Sequence, residues 1–131
     1  MRKGPILNGD IVEVIARMGH MDELVIADAG LPIPSGVRRI DLALKAGTPG
    51  FVETLAVLLE EFVCESACLA EEIRTVNPVV EHQVRKLIGA VSVTYLSHDD
   101  FKKRCSLAKA VIRTGECTPY ANVILRSGVV F

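Results

Sequence analysis

The apolar positions of this chain follow two different periods. Ile11, Val14, Ile15 and Met18 recur at the i, i+3, i+4, i+7 spacing of a helix stripe. Asn8 stands before them as an N-cap, Asp10 suits the positive helix end, and Gly19 supplies the stop. Leu24 to Ala27 is instead an unbroken apolar run, the pattern of a strand buried on both faces of a helix-covered sheet. Asp28 leaves that run, and Pro32 and Pro34 stiffen the loop beyond it. Arg39 to Leu44 alternates, with Ile40, Leu42 and Leu44 against Arg39, Asp41 and Ala43, which predicts a short strand.

Thr48-Pro49 predicts a capped helix start with proline in first position, and Phe51, Leu55, Leu58, Leu59 and Phe62 form its stripe. Ala67 to Ile73 suits a helix by its alanines and glutamates, but an α/β alternation needs a strand there, and we read one. Asn77-Pro78 starts a further helix with Val80, Val84, Leu87 and Ile88 as its stripe and Gly89 as its stop. Val91 to Leu96 is a β-prone run. Ser97 with Asp100 has capping-box spacing, opening a short helix to about Leu107. Ala110-Val111-Ile112 reads as another buried strand, and Val123–Leu125 and Val129–Phe131 as final β segments. The expected fold is α/β, a layered α/β/α domain over 1–131 with a mostly parallel, mixed sheet of about six strands.

Composition narrows the function classes. Half of the 131 residues are hydrophobic, and the mean hydropathy is +0.35. A domain of this size hides too little surface to bury all of that, so a second subunit is expected. The net charge of −1 has no basic block, which argues against nucleic acid or an anionic membrane as partner. No apolar run nears the roughly 20 residues that span a bilayer, and Met1 to Pro5 lead into no signal-peptide core, so the expected location is cytoplasmic. Cys64, Cys68, Cys105 and Cys117 lack zinc-ligand spacing and read as buried free thiols.

Three strand exits carry polar groups: Asp28, Ser97-His98, and the loop from Gly115 to Asn122. Parallel strands would place them on one sheet edge, where ligand crevices form. His20, entering its strand, falls at the opposite edge unless the chain turns sharply or a second subunit intervenes. There is no nucleophile elbow, P-loop, dinucleotide turn or acid cluster for a divalent metal. Imidazoles, a carboxylate, an amide and a phenol suit proton transfer on a neutral, hydroxyl-rich ligand. Residue by residue, plainer roles fit as well. Asp28 could cap a loop, His20 could simply follow a helix, His98 could cap one, Lys102 could be solvated, and Tyr120 could pack its loop. His82 reads as surface, and Glu116 as either a site group or a loop charge.

Gly19-His20-Met21-Asp22 with Val25 to Pro32, and Ala110 to Glu116 with Thr118 to Asn122, resemble the ribose/fucose mutarotase family. Ile6-Leu7-Asn8, Tyr95 to His98 and Gly128 to Phe131 match too, so the resemblance covers essentially the whole chain. Ala29-Gly30-Leu31-Pro32 favours the ribose branch. The resemblance implies an isomerase that interconverts pyranose and furanose D-ribose and so supplies ribokinase. It implies His20 as catalytic acid, and Asp28, His98, Lys102, Tyr120 and Asn122 as sugar ligands. It also implies no metal and no organic cofactor, and a decamer of two pentameric rings with sites at subunit boundaries. A fucose-type mutarotase and a non-catalytic sugar-binding accessory protein are the alternatives.

Overall fold

A computed structural model describes residues Met1–Phe131. The helix stripe forms α1 (Gly9–Arg17), capped by Asn8, whose Oδ1 accepts the Ile11 N–H at 3.0 Å. The apolar run becomes β1 (Glu23–Ala27), buried along its whole length. Then follow β2 (Arg38–Asp41), α2 (Phe51–Leu59), β3 (Cys64–Ala70), a one-turn α3 (Ile73–Val76) and α4 (Pro78–Ile88). The chain closes with β4 (Ser92–Leu96), α5 (His98–Arg104), a 3-10 turn at Cys105–Leu107, β5 (Ala110–Arg113) and β6 (Val123–Ser127). The reading of 67–73 as a strand holds over residues 67–70, whereas 71–72 turn and Ile73 enters α3.

The six strands form one sheet in the order β2-β5-β1-β6-β3-β4. The β2–β5, β5–β1 and β3–β4 pairs are parallel. Only β6 runs the other way, antiparallel to β1 on one side and to β3 on the other. The expected α/β fold with a mostly parallel, mixed six-stranded sheet is therefore the observed one. Helices cover both faces. One core joins Leu24, Ile26, Ile112 and Leu125 of the sheet to Val14 of α1, Phe51, Leu55 and Leu58 of α2, and Val84 of α4. The other packs Val25, Ala27, Val111 and Ile124 against Phe101 and Cys105, from α5 and the turn after it. Alternate residues of β1 face opposite cores, which is why its sequence shows no polar alternation. Glu23 starts β1 buried, and its carboxylate takes both Arg104 of α5 and Arg126 of β6. That hydrogen bond to Glu23 holds the Arg104 guanidinium above its ordinary pKa.

Several local expectations are corrected. The α2 helix begins at Phe51, with Gly50 as N-cap and a cis Thr48–Pro49 bond before it. The Phe51 N–H is satisfied from afar by Glu116 Oε1 at 3.1 Å. The β2 strand stops at Asp41, and Leu44 lies exposed. Val129–Phe131 is β-prone but has no strand beside it, so β6 ends at Ser127 and the last residues stay exposed. Ser97 caps α5 by accepting the Asp100 N–H at 3.2 Å, and the His98 N–H goes to the Glu72 carboxylate. Asn77 does not cap α4 through its side chain. Its amide nitrogen donates instead to Thr118 Oγ1 and the Pro119 carbonyl. Cys64, Cys68 and Cys105 are free and wholly or partly buried, whereas Cys117 is exposed and leaves the buried set. Burial pushes the Cys105 thiol up to about 12 and that of Cys64 up to about 11. No helix is long and apolar enough to cross a membrane.

Phe101 is fully buried and joins the helix bearing His98 to the sheet. Phe101→Ala should cost about 3–5 kcal/mol of unfolding free energy, read by urea denaturation followed by far-UV circular dichroism.

Candidate functional site

Because β1, β3, β4 and β5 run parallel, their carboxyl ends share one edge of the sheet, and antiparallel β6 starts at that same edge. Asp28 leaves β1 there, and Asn122 precedes β6. The two are locked together. Asn122 Oδ1 accepts the Asp28 N–H at 2.7 Å, and its Nδ2 donates to Asp28 Oδ2 at 3.1 Å. Asp28 Oδ1 accepts the Gly30 N–H at 3.0 Å, which tightens the turn after the strand. Asn122 is fully buried, so its amide depends on these bonds.

Tyr120 reaches the same edge from a constrained backbone. Its φ of 57° is a left-handed conformation that a bulky residue adopts at a cost of about 1–3 kcal/mol. The Tyr120 carbonyl accepts the Asn122 N–H at 2.9 Å. Its ring meets that of His98 edge-on, with centroids 5.0 Å apart and planes at 82°. His98 opens α5, and its N–H is gripped by both oxygens of Glu72, at 2.8 and 3.1 Å. The His98 Nδ1 is buried without a hydrogen-bond partner.

The loop carrying Tyr120 is fastened at its root. Thr114 Oγ1 donates to the Ala27 carbonyl at 2.7 Å, and the Glu116 carbonyl accepts the Ala29 N–H at 2.8 Å. Gly115 lies against another turn, where a Cβ would come within 2.4 Å of the Thr48 carbonyl oxygen, so no larger residue fits. The Glu116 carboxylate joins the start of α2 to Thr118, whose hydroxyl donates to it at 2.9 Å. A shallow depression of about 380 Å³ opens beside this root, lined by Asp28, Gly30, Glu116, Cys117 and Pro119 among others. A second groove, between Pro5–Asn8 and α2, is largely apolar.

Asp28, Asn122, Tyr120 and His98 thus share one edge, as the strand exits suggest. Lys102 lies one turn along α5 from His98, and its Nζ contacts Asp99 Oδ1 at 3.1 Å. That bond holds the Asp99 carboxyl below its ordinary value. His20 sits at the other edge, half exposed, with its Nε2 at 2.8 Å from Glu65 Oε1. The five residue steps from Glu23 to Asp28 alone span roughly 17 Å. Glu65, Glu72 and Asn77 were not readable as partners from the sequence, because their contacts lie 26 to 45 positions away along the chain.

Residues 1–130 match the model of the RbsD / FucU transport protein family. The chain belongs to this family. A D-ribose pyranase of Chromobacterium violaceum is 55% identical over 132 residues, covering 100% of both chains. Among solved structures, Bacillus subtilis RbsD complexed with D-ribose superposes with a TM-score of 0.97 at 50% identity, covering 100% of each chain. The fucose mutarotase of Streptococcus pneumoniae in complex with L-fucose gives a TM-score of 0.86 at 28% identity, again over 100% of each. RbsD / FucU relatives of both kinds share this chain's sheet and helices.

Asn122→Asp tests the buried pair. A second carboxylate against Asp28 would have its own pKa raised, so its penalty applies above the unfolded value and fades as pH falls. The variant should lose about 1–3 kcal/mol of stability at pH 7 and less near pH 4, read by denaturant titration at both values.

Proposed function

We propose that this chain interconverts the pyranose and furanose rings of D-ribose by acid/base opening and reclosure. One observation carries the reading. A neutral-sugar type of donor set, with carboxylate, amide, phenol and imidazole gathered at one sheet edge, occurs in a chain matching D-ribose pyranases over its full length. Ribose is favoured over fucose, because the ribose relatives stand at 50% and 55% identity and the fucose relative at 28%.

In this reading Asp28 accepts hydrogen bonds from sugar hydroxyls, and Asn122 fixes its carboxylate. Tyr120 offers a ring face and a hydroxyl, His98 an imidazole, and Lys102 an ammonium at the rim. His20 is the acid/base. Its imidazolium protonates the ring oxygen as the C1–O5 bond breaks, and the anomeric oxygen forms the C1 carbonyl and gives its proton to water. The open aldehyde then turns. Neutral His20 takes the proton of O4 as that oxygen attacks C1, while the carbonyl oxygen regains a proton from water. Nothing is consumed, so protons balance over the cycle and no cofactor is called for.

His20 and the Asp28 edge are too far apart within one chain to serve one pentose. The reading therefore includes an oligomer in which His20 of one copy meets the Asp28 cluster of another, assembled as a decamer of two five-membered rings. Exposed apolar side chains support this. Met21, next to His20 in sequence, is 57% exposed, and Val130 and Phe131 are 88% and 99% exposed, apolar surface that water alone does not favour.

Two measurements test these statements. His20→Ala should reduce ribose ring exchange, followed by saturation-transfer NMR, by about 10²–10⁴-fold, whereas unchanged exchange would remove His20 from the chemistry. The native protein should sediment at ten times the 14.2 kDa chain mass. Phe131→Asp should shift it toward smaller species with a parallel fall in exchange, and a fully active monomer would sink the shared site.

A further inference from the structure

His20 belongs to a turn that the end of β6 holds from one side. Met21, at a φ of 70°, donates its N–H to the Ser127 carbonyl at 2.9 Å, and the Ser127 N–H returns to the Asp22 carbonyl at 2.8 Å. Within the turn, Asp22 Oδ2 accepts the Gly19 N–H at 2.9 Å. On the other side of β6, the β3 strand opens on an irregularity. Cys64 pairs with Ser127 and Ser66 with Arg126, so Glu65 is an extra residue with no partner in the ladder. Bulges of this kind re-aim a side chain. Gly128 packs against this one: its N–H donates to the Val63 carbonyl at 2.8 Å, and a Cβ on it would stand 3.4 Å from the Glu65 Cβ. Residues 127 and 128 thus fasten both the histidine turn and the glutamate bulge.

The two side chains meet, with Glu65 Oε1 2.8 Å from His20 Nε2. They are 43% and 50% exposed, and a pair so open to water contributes little to stability. The backbone that aims it is nonetheless tied down on both sides. Asp28 is not available for the same task within the chain, since it lies at the far edge with its oxygens bonded to Asn122 and Gly30.

We propose that Glu65 is a positioning residue for His20. An ionised carboxylate only accepts hydrogen bonds, so it selects the tautomer with the proton on Nε2. The lone pair of the neutral ring then lies on Nδ1, and Nδ1 is the atom that gives protons to the sugar oxygens and takes them back. This inference rests on the reading of His20 as the acid/base of ring exchange.

The test uses the assembled protein and three variants, Glu65→Ala, Glu65→Gln and His20→Ala. Saturation-transfer NMR at varied ribose concentration gives kcat and KM, and long-range 1H–15N spectra of histidine-labelled protein give the tautomer. The native protein should show His20 as the Nε2–H form. Glu65→Ala should lose that single-tautomer signature and at least about tenfold in kcat, with KM for ribose within about twofold. Glu65→Gln keeps an acceptor oxygen and should recover most of both. Added to His20→Ala, Glu65→Ala should slow exchange no further. An unchanged kcat in Glu65→Ala, or a slower one with His20 still in the Nε2–H form, overturns the proposal. Further slowing in the double variant does so too, while leaving the role of His20 intact. If His20→Ala alone leaves exchange untouched, the reading of His20 has failed instead.

Discussion

The antiparallel pairing of β6 with both β1 and β3 is the constraint on which the molecule depends. The other five strands fall into two parallel groups, β2-β5-β1 and β3-β4, and β6 is the backbone between them. Its hydrogen bonds merge two partial sheets into one and let the cores on either face run continuously. Its reversed direction has a chemical consequence as well. It brings Asn122 to the edge where the parallel strands end, beside Asp28, and carries Ser127 and Gly128 to the edge where they begin, beside His20 and Glu65. One strand therefore organises the polar groups at both ends of the sheet.

Both clusters hold backbone in uncommon conformations. Met21 and Tyr120 are the two non-glycine residues with positive φ, one next to His20 and the other edge-on to His98. Each is held by hydrogen bonds to neighbouring backbone, Met21 through Ser127 and Tyr120 through Asn122. Strain of this sort persists only where the surroundings over-determine it. The proposed chemistry needs side chains fixed in direction, and these two turns are where the chain adopts costly geometry to fix them.

Much of this was legible in the sequence where the signal is local. An unbroken apolar run followed by an aspartate identified β1 and its exit, and Asn77-Pro78 and Gly89 bounded α4. The gathering of Asp28, His98, Tyr120 and Asn122 followed from strand direction alone, as did the separation of His20. What escaped was non-local. Residues 64–66 lie outside the strand read at Ala67–Ile73, and they join β3 because β6 flanks them. The start of α2 is set by Glu116, 65 positions away, rather than by the Thr-Pro pair before it. Val129–Phe131 has strand-like residues and no neighbour to pair with. Glu65 and Glu72 bond to groups that no spacing rule links to them.

The position of β6 also bears on how the molecule is made. It is the last strand in sequence but lies inside the sheet, pairing Arg126 with Glu23 across about a hundred residues. Contacts of such long range slow folding, because loop-closure entropy is lost before they form. During synthesis the two parallel groups must wait, with the apolar flanks of β1 and β3 uncovered, until the strand between them emerges. That interval, rather than the finished molecule, is when this chain is most exposed to aggregation.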